Sequence, residues 1–199
     1  MERHNFNTSQ HTLHIKNMVS NSCMRIVKES LQRTGFIEVT RIELGEADVR
    51  FDSHIISLNF IDELLHKDGF ELIHDNSKRL VEKIKTAVIQ LVFYGSNTNS
   101  LIRNSDYLSE RLGHPYPYLS KLFSERIGST LEKYIILIKV EKIKELISYE
   151  QITLSEIAFQ MGYSSVQYLS NQFKQVTGLT VSEYKGQFHE RKPLSRLLD

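Results

Sequence analysis

Two stretches decide how this chain is read: Tyr118–Tyr134, YLSKLFSERIGSTLEKY, and Tyr168–Tyr184, YLSNQFKQVTGLTVSEY. Laid on one another at an offset of fifty residues, they are identical at seven of 17 positions: Tyr118/Tyr168, Leu119/Leu169, Ser120/Ser170, Phe123/Phe173, Gly128/Gly178, Thr130/Thr180 and Tyr134/Tyr184. Upstream, Ser105/Ser155 fits the same offset without a gap. A fixed-period match of this kind marks a duplicated structural unit.

Each copy reads as a short helix, a tight turn and a longer helix, which is the helix-turn-helix pattern. In the second copy Thr153 and Glu156 form a T-x-x-E capping box that opens Leu154–Met161, and Gly162 supplies a left-handed stop. Ser164 or Ser165 caps the next helix, which runs to about Thr177 and ends at Gly178. In the first copy Asn104 or Ser105 starts a helix that ends at Gly113, and Pro115 and Pro117 fall in the first turn of its successor. Leu119/Phe123 and Leu169/Phe173/Val176 lie on i, i+4, i+7 stripes and face a core.

The opposite faces carry Tyr116, Pro117, Ser120, Lys121 and Ser124 in the first copy, and Val166, Gln167, Ser170, Asn171 and Lys174 in the second, with Ser165 at the helix start. Gln167 and Asn171 have the amide geometry that pairs with adenine edges in a major groove. Lys121 and Lys174 suit phosphate contact. Between the copies, Thr130–Ile147 reads as one helix with apolar stripes Leu131/Ile135/Ile138 and Ile136/Val140/Ile143/Ile147. Its length, ~27 Å, is of the order of one DNA turn, ~34–36 Å. Lys78–Tyr94 reads as a further amphipathic helix, through Leu80, Ile84, Val88 and Leu91.

Before Lys78 the pattern changes. Thr12–Asn17 reads as a strand, Ser22–Thr34 as a helix, Ile37–Leu44 and Ala47–Phe51 as a strand pair around Gly45, Leu58–Lys67 as a helix and Phe70–His74 as a strand. The expected fold class is α+β: a ferredoxin-like βαββαβ sandwich over residues 1–77, then an all-α domain over 78–199 with two helix-turn-helix motifs joined by a long helix.

The second copy, Leu154–Lys185, LSEIAFQMGYSSVQYLSNQFKQVTGLTVSEYK, resembles the signature of AraC/XylS-type bacterial transcription regulators, and the likeness extends over about residues 78–188. It implies seven helices, operator binding, and base-contacting positions that correspond here to Pro117, Ser120, Lys121, Val166, Gln167, Ser170 and Asn171. The family usually has proline where Val181 stands and arginine where Lys139 and Lys185 stand. Residues 11–75 resemble a heavy-metal-associated domain, whose loop reads M-x-C-x-x-C. Here it reads Met18-Val19-Ser20-Asn21-Ser22-Cys23, and a serine hydroxyl does not replace a thiolate toward a soft ion.

Composition narrows the alternatives. Cys23 is the only cysteine, which excludes an intrachain disulfide and a multi-cysteine zinc site. The net charge is +1, divided into −1 up to Asn99 and +2 after it, too weak for indiscriminate polyanion binding. No G-x-G-x-x-G, P-loop, H-E-x-x-H or G-x-S-x-G motif occurs, so catalysis is not expected, and neither is a cofactor. The polar Met1–Gln10 stretch and the interrupted apolar runs lead to an expectation of a cytoplasmic protein.

The leading expectation is a sequence-specific DNA-binding transcription regulator. Its partners would be a double-stranded operator, a second copy through the N-terminal domain, and RNA polymerase, with no membrane. Two readings compete with it. In one, the N-terminal domain senses or buffers a metal, with Cys23 as the candidate ligand and His11, His14 and Met18 as the residues that could join it. In the other, that domain is an interaction module that dimerises the chain or senses a non-metal ligand.

Overall fold

The computed structural model describes residues 9–95, 104–148, 152–186 and 193–198. Two compact units divide the chain, residues 1–86 and 87–199.

The first unit begins with β1 (Ser9–Lys16), α1 (Asn21–Gln32), β2 (Glu38–Glu43), β3 (Glu46–Phe51), α2 (Leu58–His66) and β4 (Glu71–Leu72). The strands form one antiparallel sheet in the order β2-β3-β1-β4. Period-two alternation places Leu13, Ile15, Ala47, Val49 and Phe51 on the face that packs with Val27 and Leu31 of α1 and Ile61 and Leu65 of α2. Serine starts both helices: Ser20 Oγ accepts from Cys23 N at 3.3 Å, and Ser57 Oγ from Phe60 N at 3.1 Å. Gly45, at φ 81°, makes the β2–β3 turn, where its missing side chain lets Thr86 Oγ1 approach within 3.3 Å of an ideal Cβ position.

β4 is shorter than the expected Phe70–His74, with two residues, and at Leu72 the backbone N–H donates to Asp62 Oδ1 of α2 at 2.8 Å. A side chain there takes the hydrogen bond that a further strand would accept, which leaves β4 as a sheet edge.

α3 (Asn76–Ile89) crosses the division between the units and is followed by a π-helical turn, Gln90–Tyr94, where the sequence pattern reads as one continuous helix to Tyr94. The second unit is helical: α4 (Asn104–Leu112), α5 (Tyr116–Ile127), α6 (Leu131–Ser148), α7 (Leu154–Gln160), α8 (Val166–Thr177) and α9 (Val181–Lys185). α6 contacts α5 and, further along, α7 and α8. Its buried residues include the expected Leu131, Ile135, Ile138, Val140, Ile143 and Ile147, together with Tyr134, Glu141 and Leu146, while Ile136 is half-buried. Leu169 and Phe173 of α8 are fully buried against Val140, Ile143 and Ile157, an arrangement that stabilises each side chain by about 1.5–3 kcal/mol. Among the described residues no helix is long and apolar enough to cross a membrane.

Candidate nucleic-acid interface

α5 and α8 are built alike. Each has 12 residues and ends on a left-handed glycine, Gly128 at φ 74° and Gly178 at φ 79°, whose N–H closes on the carbonyl four residues back. Each then leads through a threonine whose hydroxyl caps the next helix: Thr130 Oγ1 accepts from Lys133 N and Thr180 Oγ1 from Glu183 N. In both, a phenylalanine packs on the following tyrosine, Phe123 on Tyr134 at 5.3 Å between ring centroids and Phe173 on Tyr184 at 5.4 Å. Fully buried, half-buried and exposed positions follow the same order from the first residue of each helix through the eighth.

They begin differently. α8 starts at Ser165, whose Oγ accepts from Tyr168 N at 3.1 Å. α5 starts at Pro115, which has ψ 136° and therefore precedes the helix, leaving Pro117 alone inside the first turn. Neither proline withdraws an intrahelical donor, because the first-turn N–H groups have no acceptor within the helix.

On α8, Gln167 and Asn171 are exposed, Val166 and Ser170 are half-buried and Lys174 is exposed at the helix end. Gln167 Nε2 donates to Asn171 Oδ1 at 2.9 Å. On α5, Pro117 and Lys121 are exposed, and Lys121 Nζ stands 3.9 Å from Glu125, too open a pair to hold the lysine in place. Tyr116 and Ser120 are half-buried, and both meet a carboxylate that the sequence pattern did not single out: Glu132 Oε1 on α6 accepts from Tyr116 Oη at 2.8 Å and lies 3.5 Å from Ser120 Oγ. Burial, with the Glu132 hydrogen bond and charge, holds the Tyr116 hydroxyl above its ordinary range, so it remains a donor.

Residues 108–187 match the family described as "Helix-turn-helix domain". This segment is an AraC-type helix-turn-helix domain. The Xylose operon regulatory protein of Escherichia coli (strain K12) is 31% identical over 99 residues, 50% of this chain and 25% of that protein. An HTH-type transcriptional regulator of Staphylococcus aureus (strain MSSA476) is 33% identical over 79 residues, 40% of this chain and 11% of that protein. The chain thus spans about a quarter or less of the length of these relatives. The crystal structure of transcriptional regulator CdpR from Pseudomonas aeruginosa aligns with a TM-score of 0.43 and 11% identity, over 73% of this chain and 46% of that one.

Within the AraC-type domain, Lys139 takes a structural place. Its Nζ donates to Met161 O at the end of α7 at 3.0 Å and lies 5.4 Å from the Tyr163 ring centroid, and burial lowers its pKa. Tyr163 in turn donates to Gln172 Oε1 of α8 at 2.5 Å, with its hydroxyl pushed up to about 12 by burial. This chain of contacts ties α6 to the turn before α8 and to α8 itself. Tyr118 and Tyr168, a matched pair in the repeat, are 50% and 54% exposed beside the polar faces. Their identity at the fifty-residue offset was the available signal for them.

In the first unit the residues weighed for metal binding take other partners. Ser20 Oγ donates to Cys23 Sγ at 3.2 Å, Met18 is buried in the core, and His11 stacks on Phe51 at 4.5 Å. His14 Nδ1 lies 3.3 Å from Glu46 Oε2. Burial, followed by the Arg79 charge, holds the His14 imidazole below its ordinary range, so at neutral pH this is a contact of neutral imidazole rather than an ion pair. Among the described residues no three His, Cys, Asp or Glu side chains converge as a metal site would require.

Proposed function

We propose that this chain is a sequence-specific DNA-binding transcription regulator and not an enzyme. α4/α5 and α7/α8 act as two helix-turn-helix motifs, and α5 and α8 enter successive major grooves on one face of the duplex. The observation that carries this reading is the matched exposure of α5 and α8 within an AraC-type domain: equivalent positions present Pro117, Ser120 and Lys121 on one helix and Gln167, Ser170 and Asn171 on the other. Phosphate contacts by Lys121 and Lys174 fix the register, and the polar side chains between them read base edges.

The functional boundary in this proposal lies at Lys78, with α3 as the first helix of the DNA-binding domain. The preceding part is a ferredoxin-like sandwich, a reading supported by the βαββαβ order and the β2-β3-β1-β4 sheet. Its role is to join two copies of the regulator, and RNA polymerase is the further partner of the assembled protein, in the cytoplasm.

The experiment is in-vitro selection of bound duplexes from a random pool with the full chain. Enrichment of two short motifs one helical turn apart, about 10–10.5 base pairs, is the expected result; failure to enrich any motif removes the proposal. Light scattering of the full chain would show a dimer mass, and a monomer at micromolar concentration removes the dimerisation role.

A further inference from the structure

The two proposed recognition helices differ in one respect that the repeat hides. Fifty residues beyond Glu132 the second copy has Ser182, so α5 has a carboxylate against its polar face and α8 has none at the matching place. Glu132 is itself exposed, in the first turn of α6, and among the described residues its carboxylate is partnered by the Tyr116 and Ser120 hydroxyls, both through Oε1.

A donor and acceptor inventory follows from that geometry. An ionised carboxylate only accepts. Tyr116 uses its single O–H on Glu132, and Ser120 directs its own to the same oxygen, so what both hydroxyls have left to offer is lone pairs. Pro117, between them on the helix, has no N–H to offer. The start of α5 therefore presents acceptors: Oε2 of Glu132 and the lone pairs of two hydroxyls. On α8, by contrast, the Gln167–Asn171 pair keeps amide N–H groups and an amide oxygen available.

In the major groove, guanine shows two acceptors, N7 and O6, and adenine sets its N6 donor beside the N7 acceptor. Cytosine alone offers a donor, N4–H2, with no acceptor of its own next to it. We propose that Glu132 is a specificity-determining residue that makes the half-site under α5 require a cytosine, which donates N4–H to the Glu132 carboxylate. The inference rests on the function proposed above and assigns to one half-site a base that the other does not need. Tyr116 is a positioning residue in it, since its hydroxyl fixes where Oε1 stands.

The test is selection from a random duplex pool with the full-length wild type, Glu132→Ala and Glu132→Gln, followed by titration of each protein on the selected site and on the site with that cytosine–guanine pair reversed. The wild type is expected to enrich an invariant cytosine in one half-site and to lose roughly tenfold in affinity when the pair is reversed. Glu132→Ala is expected to bind both duplexes within about twofold of each other while keeping the wild-type preferences in the other half-site. Glu132→Gln, which can both donate and accept, is expected to tolerate more than one base at that position.

Two results overturn the inference and leave the wider function standing. One is retention of the cytosine by Glu132→Ala. The other is a uniform gain in affinity on every duplex, which would show that Glu132 acts only by repelling phosphates. If the wild type enriches no motif, the function proposed above fails, and this assignment with it. Unchanged helical content and melting temperature of both variants, measured by circular dichroism, exclude misfolding as the cause of an altered motif.

Discussion

Gln167 donates to Asn171 Oδ1 at 2.9 Å across one turn of α8, and both side chains are exposed. The pair is ordered before any partner arrives, so less side-chain freedom would be lost in the base contact proposed for it. Gln167→Ala and Asn171→Ala should each weaken binding to the selected site by about 1–3 kcal/mol and flatten discrimination at the bases they face. Because the two side chains touch, the double variant should lose less than the sum of the single losses. Gel-shift titrations on matched and mismatched duplexes check both statements, and unchanged discrimination would exclude these residues from base reading.

Lys174, in the last turn of α8, is exposed and without a carboxylate within ion-pair distance among the described residues. In the proposed role of phosphate contact it would contribute equally on all sequences. Lys174→Ala should therefore weaken specific and non-specific binding alike and reduce the slope of log affinity against log salt by about 0.9. A sequence-dependent loss would assign it to bases instead.

α7 and α9 both open with capping boxes, Thr153 with Glu156 and Thr180 with Glu183. The Glu156 carboxyl is held below its ordinary range by the Thr153 hydroxyl and backbone N–H, and the Glu183 carboxyl by the Thr180 backbone N–H and hydroxyl. A carboxyl whose pKa is lower in the folded chain than in the unfolded one stabilises the fold above the unfolded value, about 4.3 for glutamate. That contribution disappears as pH falls through the lower, folded value. Thermal melts of Glu156→Gln and Glu183→Gln should thus show deficits at pH 7 that shrink as pH falls below the unfolded value, about 4.3. A deficit that stays constant over this range would mean the boxes act through shape alone.

Lys139 supports the turn before α8 from below, through the Met161 carbonyl and the Tyr163 ring. Lys139→Met keeps most of the volume and removes the donor. It should cost about 1–3 kcal/mol in urea unfolding by leaving that carbonyl without its partner. Lys139→Arg should recover part of the loss, and equal stability of all three proteins would show that the contact contributes nothing.

Ser20 in the place of a second thiol predicts that neither Cu(I) nor Zn(II) binds the full chain with sub-micromolar affinity. Competition titrations of wild type and Cys23→Ser check this, and tight binding abolished by the substitution would reinstate metal sensing.

The helical half was legible because its signals are local and repeated. Gly128 and Gly178 stop matched helices, Thr153 and Ser165 cap where a T-x-x-E box and a serine pair announce it, and Leu169 and Phe173 fall on the buried stripe. What could not be read lies outside the repeat or depends on contacts between elements. Glu132 looks like an ordinary first-turn acid until α5 is seen against it, and Lys139 looks like a solvated cation on an otherwise apolar helix. Glu141 is buried in α6 where periodicity shows only two apolar stripes, because Lys144 meets it at 2.6 Å. Nothing in the run Phe70–His74 reveals that Asp62 of α2 reaches the Leu72 N–H.

The half-exposed Cys23, alone of its kind in these 199 residues, gives the first unit a built-in attachment point. A maleimide fluorophore added to the unaltered protein would sit at one known position, at the start of α1, remote in sequence from α5 and α8. Its emission could then follow rearrangements of that unit during operator titrations, with no engineered residue and no second label to disentangle.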